Sequence, residues 1–400
     1  MNAKTKNIVS GLLLGLMLSP AALAQPSVTL ADAVEAAWRR SAQSAEVAGQ
    51  VRRAQAERAG ASALWAAPPA LEVGVIRDRQ RATGSARETE VGIAVPLWLP
   101  GQRSARLGQA DAESSAATAS VVAARLRVAG TVREVAAEVA LQRAEMTAAE
   151  AQSRELDVLA KDVERRVAAG EMARADALAA NAERLAAATS LAQAKQRLQA
   201  TELQWKALTG MTTLPMLSTA PGAAPVVHPA LHSAALNVEA ARRRVDAVRA
   251  SRRDAPELLL RARQEVATGE PNTNGIGIAV RIPFGTASRN EPLLAVALSD
   301  LEVAEATERE LRQQLEAETA AARSADESAH QQLADESARA KLLRERAALI
   351  EKSFKAGETA LPEMLRALTA AAQSEASLAR QQALLSQATL RLHQALGVMP

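Results

Sequence analysis

The sequence predicts a mainly α-helical chain with a small β-sheet, arranged as two related halves. Three observations carry this prediction. First, the chain repeats itself: Val91-Gly92-Ile93-Ala94-Val95-Pro96-Leu97 returns as Ile276-Gly277-Ile278-Ala279-Val280-Arg281-Ile282, and Ala169-Gly170-Glu171 returns as Ala356-Gly357-Glu358. Gln204-Trp205-Lys206-Ala207-Leu208 likewise corresponds to Leu392-His393-Gln394-Ala395-Leu396. The offset stays at roughly 185–188 residues, far beyond the period of a solenoid repeat. Second, residues 103–167 contain no Pro and only Gly108 and Gly130, enough for roughly 100 Å of helix. Third, short segments before each long helix alternate between apolar and small residues, the period of a strand.

The elements follow in order. Thr29 is an N-cap candidate for a helix from Ala31 to about Trp65, stopped by Pro68-Pro69. Leu71–Val75 alternates as a strand, 77–87 reads as a polar loop around Thr83-Gly84, and 88–97 is a second strand. In the latter, Val91, Ile93 and Val95 share one face while Gly92 and Ala94 share the other, the pattern of a barrel wall with its apolar side toward lipid. Nine or ten residues suffice for one tilted crossing, and Trp98 sits where an interfacial aromatic is expected. The long helix carries Leu156, Leu159, Val163 and Val167 at coiled-coil spacing. It turns at Gly170 and returns from Ala173 to Leu208, where Gly210 is a natural stop. The second half predicts a helix over 229–253, strands over 257–263 and 275–283 around a loop at 264–274, a long helix from about Glu291 to Lys355, a turn at Gly357, and a return helix to Leu396. Leu342 and Leu349, with Leu343 and Ile350, have heptad spacing. The domain plan is therefore a signal peptide over 1–24, a first repeat over 25–214, a linker over 215–228 and a second repeat over 229–400.

Composition sets the address. Lys4 and Lys6, the apolar run Ile8–Leu18 and the small residues Ala22-Leu23-Ala24 form a secretory signal with cleavage expected before Gln25. That apolar run is too short for a permanent membrane helix. Lys and Arg number 48 against 45 acids, and removing the two signal lysines leaves the charge near balance, which argues against a nucleic-acid partner. There is no cysteine, so disulfides, a lipid anchor on a cleavage-site cysteine and cysteine-ligated metal are excluded. Aromatics are 2% with no Tyr, which fits long helices packed through thin seams better than a globular core.

Four strands cannot close a barrel, and an open sheet edge in lipid leaves unpaired backbone groups at a cost of several kcal/mol each. The strands must close between chains. Three copies supply twelve strands, an even number suited to an outer-membrane barrel, and six helical hairpins, enough for a helical cylinder.

At this point the chain resembles the TolC-like outer membrane efflux protein family, over 29–396. The resemblance rests on the paired strand-to-helix junctions (91–103 and 276–290) and on the paired tips. These read Val167-Ala168-Ala169-Gly170-Glu171 with Asp176-Ala177-Leu178, and Phe354-Lys355-Ala356-Gly357-Glu358 with Glu363-Met364-Leu365. The resemblance implies a homotrimeric exit duct without enzymatic activity or cofactor. A barrel crosses the outer membrane, a helical barrel extends into the periplasm, and the lower end meets a periplasmic adaptor and an inner-membrane pump of the RND type.

The candidate site residues follow. Gly170 and Gly357 make the hairpin turns, where positive φ favours glycine. With Glu171 and Glu358 they are candidate adaptor contacts, since exposed loops on a rigid scaffold concentrate contacts; the plain alternative is that the glycines only turn the chain. The family places acids just past the second tip around the periplasmic aperture, and Glu363 matches. A second acid is expected three residues on, where this chain has Arg366, which suggests a charge pair between chains. Asp176 is the equivalent acid of the first half. A ring of like charges in a narrow neck gates by field strength; the alternative is a solvated helix acid. Arg261, Arg263 and Arg281 lie on strands, and Arg281 alternates with Val280 and Ile282, so it should face a basic lumen. His228 and His232 have i, i+4 spacing, but Pro229 lies between them and no third ligand is near, so no metal site is assigned.

The segment 96–103 and the approach to the first strand, 68–72, resemble the cobalt-zinc-cadmium branch, implying heavy-metal cations as cargo. Drug or organic-compound efflux and a type I protein-secretion duct are the alternatives. A periplasmic coiled-coil adaptor would instead have one hairpin flanked by β-rich domains.

Overall fold

The computed structural model describes residues 28–78, 86–215, 217 and 223–400. The signal segment 1–24, the tip of the loop read at 77–87 and part of the 215–228 linker lie outside the described residues. The elements are α1 (Leu30–Arg40), α2 (Ala42–Ala61), β1 (Ala70–Asp78), β2 (Ala86–Pro96), α3 (Gln102–Ala168), α4 (Arg174–Thr209), α5 (Pro229–Ala250), β3 (Glu257–Ala267), β4 (Thr273–Arg281), α6 (Thr286–Arg289), α7 (Glu291–Lys355) and α8 (Leu361–Ala395).

Thr29 caps α1 as expected, in a capping box. The Asp32 amide donates to Thr29 Oγ1 at 3.2 Å and the Thr29 amide donates to Asp32 Oδ2 at 3.0 Å. The single helix expected from Ala31 to Trp65 is two helices. Ser41 stands in an extended conformation, its hydroxyl donating to the Trp38 carbonyl and accepting from the Ser44 amide, so one residue ends α1 and caps α2. Strands β1 and β3 run longer than their apolar cores, because polar residues such as Gln264 and Glu265 continue the pairing into the expected loop.

The four strands form one antiparallel sheet in the order β1-β2-β3-β4. One register row reads Leu71, Ile93, Leu260, Ile278 across it, and the next reads Glu72, Gly92, Arg261, Gly277. In a single chain, β1 and β4 are the edges.

The helices form a wall four across. Near the sheet its order is α2-α3-α5-α7; near the hairpin turns it is α4-α3-α8-α7. Ion pairs tie neighbours near the sheet: Arg58–Asp111 between α2 and α3, and Arg242–Glu305 and Arg244–Asp300 between α5 and α7. Alanine lines most seams, with Ala124, Ala129, Ala136 and Ala371 fully buried. Small side chains let helix axes approach, which explains how so large a wall forms with few aromatics. Leu156, Leu159 and Val163 are buried at the seam read from their spacing, against Ala180, Ala187, Phe354, Leu361 and Met364.

Larger groups cluster where α1 packs on α3 and α4. Trp205 is buried there with Val34, Val132 and Val139, and its indole N–H donates to the Thr213 carbonyl at 3.3 Å. Beside this knot the end of α8 is fastened to the middle of α3. Arg133, 3% exposed, donates to Gln394 Oε1 and to the Val398 carbonyl, and Gln394 Nε2 donates to the Leu126 carbonyl. Burial without a carboxylate partner pulls the Arg133 guanidinium down to about 10. Burial also holds His228 and His393 below the ordinary imidazole range.

Gly397 closes α8 with φ 74°, and a Cβ there would stand 2.7 Å from Pro229 Cδ and 2.8 Å from His228 Cδ2. Gly170 has a similar φ of 81° but open space around it. Gly170→Ala should therefore cost about 1–2 kcal/mol for left-handed backbone alone. Gly397→Ala should add about 1–3 kcal/mol of overpacking. Denaturant unfolding of both variants checks this; equal losses would show that the α8 end is not tightly packed.

Candidate functional site in the strand wall and hairpin tips

The sheet separates its side chains by chemistry. One face carries Leu71, Val73 and Val75 of β1, Val91, Ile93 and Val95 of β2, Leu258 and Leu260 of β3, and Ile276, Ile278 and Val280 of β4. All but the half-buried Val95 are exposed in the single chain. Ile282 and Phe284 extend this surface toward the helices. The alternation read in β2 thus holds across all four strands.

The opposite face is ionic. Arg261 pairs with Glu90 at 3.2 Å and Glu72 at 3.4 Å, Arg263 with Glu88 at 2.8 Å and Glu265 at 3.2 Å, and Arg281 with Glu257 at 2.8 Å and Glu72 at 3.8 Å. Arg281 lies on this face, away from the apolar one, as its alternation requires. The expectation of a basic surface is corrected: three arginines meet five glutamates, leaving an acidic excess. The glutamates were missed because each was read within its own strand, whereas the pairs form across register rows. Their signal was the period-two spacing of Glu88 and Glu90.

Gly92 makes one of these pairs possible. Arg261 on β3 reaches Glu72 on β1 by crossing β2 over Gly92, in the same row. A Cβ at 92 would lie 3.0 Å from Arg261 Cγ and 3.2 Å from the Leu260 carbonyl oxygen. The small residue in the repeated Val-Gly-Ile motif is thus a passage for a guanidinium.

Trp98 is half-buried, and its indole N–H donates to the Ala63 carbonyl at 3.3 Å, fastening the end of β2 to the end of α2.

At the far end of the helices, the two hairpin turns share one geometry. The Gly170 amide donates to the Val167 carbonyl and the Glu171 amide to the Arg166 carbonyl; the Gly357 amide donates to Phe354 and the Glu358 amide to Ser353. This is the Schellman pattern, which needs positive φ at glycine, here 81° and 80°. Glu171 and Glu358 are exposed at the turns.

The acids past the turns have local partners. Asp176 accepts from the Ala173 amide at 3.2 Å, capping the start of α4. Glu363 accepts from Arg346 at 2.8 Å and from Arg366 at 3.1 Å. Within the single chain Arg366 pairs with Glu363, because the two stand three residues apart on one helix face. Asp176 is on the other hairpin and has no part in this cluster.

Sequence reading missed the tie between the hairpins. Arg344 on α7 reaches Glu155 on α3 at 3.0 Å and forms a close two-pronged pair with Glu375 on α8. Nearby, the Arg166 guanidinium of α3 lies 5.3 Å from the Phe354 ring centre of α7. Arg154, Arg165, Arg166, Arg344 and Lys355 line the groove between α3 and the second hairpin together with Glu155, Asp162 and Glu351, and each of these cations is ion-paired.

Among the described residues no three or more His, Asp or Glu side chains gather as a metal-ligand group. His228 is engaged as the N-cap of α5, its Nδ1 accepting from the Ala230 amide at 3.2 Å. No described helix is long and apolar enough to cross a membrane.

No family model matches the sequence, and no curated protein matches it. Solved structures do. The outer membrane protein VceC of Vibrio cholerae superposes with a TM-score of 0.73 at 18% identity, covering 92% of this chain and 96% of that one. The CmeC outer membrane channel of Campylobacter jejuni gives 0.72 at 13% identity, covering 99% and 93%. The MtrE outer membrane channel of Neisseria gonorrhoeae, in its open state, gives 0.70 at 16% identity, covering 92% and 89%. These structural neighbours are TolC-family outer-membrane efflux channels, and this chain has their fold over nearly its whole length.

Proposed function

We propose that this chain is the outer-membrane channel of a tripartite efflux system, a passive duct closed by three copies and fed by a periplasmic adaptor and an inner-membrane pump, not catalytic in itself but a conduit whose energy comes from the pump. The observation that carries this reading is the matched pair of open edges. The sheet ends in unpaired β1 and β4 while its apolar face is exposed; in lipid that arrangement is stable only when the edges pair with other copies.

The helical wall supports the same closure. Its edges near the turns are α4 and α7. On α4, Leu178 and Leu185 are 65% and 58% exposed; on α7, Leu349 and Leu342 are 60% and 67% exposed. Leu178 and Leu349 each stand eight residues from their turn glycine, and Leu185 and Leu342 each fifteen. The two stripes lie at equal depths and run antiparallel, so α4 of one copy fits α7 of the next. The heptad leucines read on α7 thus serve the neighbouring chain, while Ile350 packs at home.

In this assembly the ionic face lines a twelve-stranded barrel and its acidic excess favours cations. Gly170, Glu171, Gly357 and Glu358, with the ion-paired groove beside them, form the adaptor-facing end; Glu363 and Arg366 lie near the aperture, with Asp176 as a structural cap. The cargo proposed is heavy-metal cations, supported by the resemblance of 96–103 to that branch and by the acidic lumen. Drug efflux and type I secretion are the competing cargoes.

Because the chain lacks cysteine, the pair Leu178→Cys with Leu349→Cys should give a covalent trimer under mild oxidation, seen on denaturing gels. Either single variant should give no trimer. A double variant that stays monomeric would sink the proposed closure.

Glu363→Ala should raise single-channel conductance in planar bilayers and lower cation preference, since it leaves Arg346 and Arg366 unpaired. Unchanged conductance and selectivity would remove Glu363 from the gate.

Deleting the gene in its host should lower tolerance to cobalt, zinc or cadmium salts, restored by a plasmid copy. Unchanged metal tolerance with increased sensitivity to organic toxicants would assign the drug cargo instead.

A further inference from the structure

Two arginines on the apolar face stand outside the ionic pairs described above. Arg77 and Arg87 oppose each other directly in the β1–β2 register, on the side that carries Val75, Val91 and Ile93. Both are exposed, and among the described residues neither has an ion-pair partner. Side chains directly opposite in an antiparallel pair have Cβ atoms roughly 4.5–5.5 Å apart, and like charges there are destabilising. An anion between the two guanidiniums reverses that sign.

Their depth says which anion. The pair lies at the end of the sheet farthest from the helices. Between Val95 and Arg87, β2 runs roughly 27 Å at about 3.4 Å per residue, or roughly 20 Å along the membrane normal at the tilt of such barrels. The row below holds Val75, Thr89, Gln264 and Asn274, where the apolar band turns polar. Arg77 and Arg87 therefore sit at the outer edge of the band, at headgroup level, where arginine on the lipid side costs only about 0–1 kcal/mol.

We propose that Arg77 and Arg87 form a binding site for a phosphate of the outer-leaflet glycolipid, lipid A. The assignment rests on the outer-membrane reading above. Two guanidiniums offer paired N–H donors matched to phosphate oxygens, each contact being a charge-assisted hydrogen bond. A ligand on this side must reach the site through the bilayer surface, which selects a lipid over a soluble phosphate.

The test is native mass spectrometry of the detergent-purified assembly titrated with diphosphoryl lipid A, its dephosphorylated form and phosphatidylglycerol, with bilayer conductance recorded on the same preparation. The wild type should retain diphosphoryl lipid A at least about tenfold more tightly than the dephosphorylated form, the size expected for one or two charge-assisted bonds. R77Q/R87Q should lose that preference and keep its conductance; R77K/R87K, which keeps the charge without the paired donors, should fall between. Equal retention of both lipid A forms, or an unchanged preference in R77Q/R87Q, overturns the site. Equal retention of phosphatidylglycerol overturns its assignment to the glycolipid. A wild type without conductance or assembly overturns the outer-membrane reading itself, a result separate from lost lipid preference in a conducting channel.

Discussion

The rest of the structure depends on the backbone hydrogen bonds of the sheet edges. A strand that enters lipid must satisfy every N–H and C=O within protein. Here β2 and β3 are paired on both sides and β1 and β4 on one. Joining the two strand pairs through β2–β3 halves the number of open edges a chain presents, compared with two separate hairpins. The remaining two are antiparallel-competent and lie at opposite ends of a single sheet, so in the proposed assembly copies add in one direction until they close. The same logic governs the helices, where the unmatched leucine stripes fall on the two outermost members of the wall.

In the proposed closure, which sets the face that meets lipid, the electrostatics of the other face follow. Arginine and glutamate are costly against hydrocarbon, so within the apolar band they occupy one side of every strand, and among the described residues only Arg77 and Arg87, at the outer edge of that band, lie on the other. Individually exposed ion pairs contribute little to stability. Their value here is geometric: Arg261 spans β1, β2 and β3 above Gly92, linking strands from both halves of the chain. A methyl group at 92 would close that passage without touching the apolar face. The glycine in the repeated motif is thus explained by a contact across the sheet that no single strand displays.

How much was legible in the sequence depended on the range of the interaction. The long helices, their turns and the four strands are local properties, and α7 was placed residue for residue at Glu291–Lys355. Gly170, Gly210 and Gly357 were read as helix stops and have the positive φ that such stops require. Ser41 was missed because a serine that ends one helix and caps the next looks, in a helical run, like an ordinary exposed residue. The partners of Arg281 and the Arg344 tie to Glu155 and Glu375 were out of reach, since Arg344 and Glu155 stand 189 positions apart and Arg281 and Glu72 stand farther apart still. Arg366 was seen as a departure from the family pattern, yet its contact with Glu363 on its own helix was not read. Helix spacing of three residues favoured the local pair with Glu363 over a remote one.

The junction between sheet and helices poses the last constraint. Neighbouring strands are about 4.8 Å apart, and tilt widens four of them to roughly 25 Å. Four packed helices need roughly 32–40 Å at about 8–10 Å each. The wall must widen within a few residues, where neither ladder nor helix hydrogen bonds can continue. Side chains take over: Gln102 Nε2 donates to the Arg253 carbonyl at 2.9 Å, Arg103 Nη2 to Ser62, Trp98 to Ala63, and Asn290 Nδ2 to Arg252 and Asp254. Gly101 and Gly285, with φ of 84° and 74°, redirect the chain into α3 and α6. The strand-to-helix junctions are constrained differently from the rest of the wall, and the reason is physical. They alone must reconcile two wall spacings with polar side chains at fixed positions, whereas the seams above and below accept any small apolar residue of the right size.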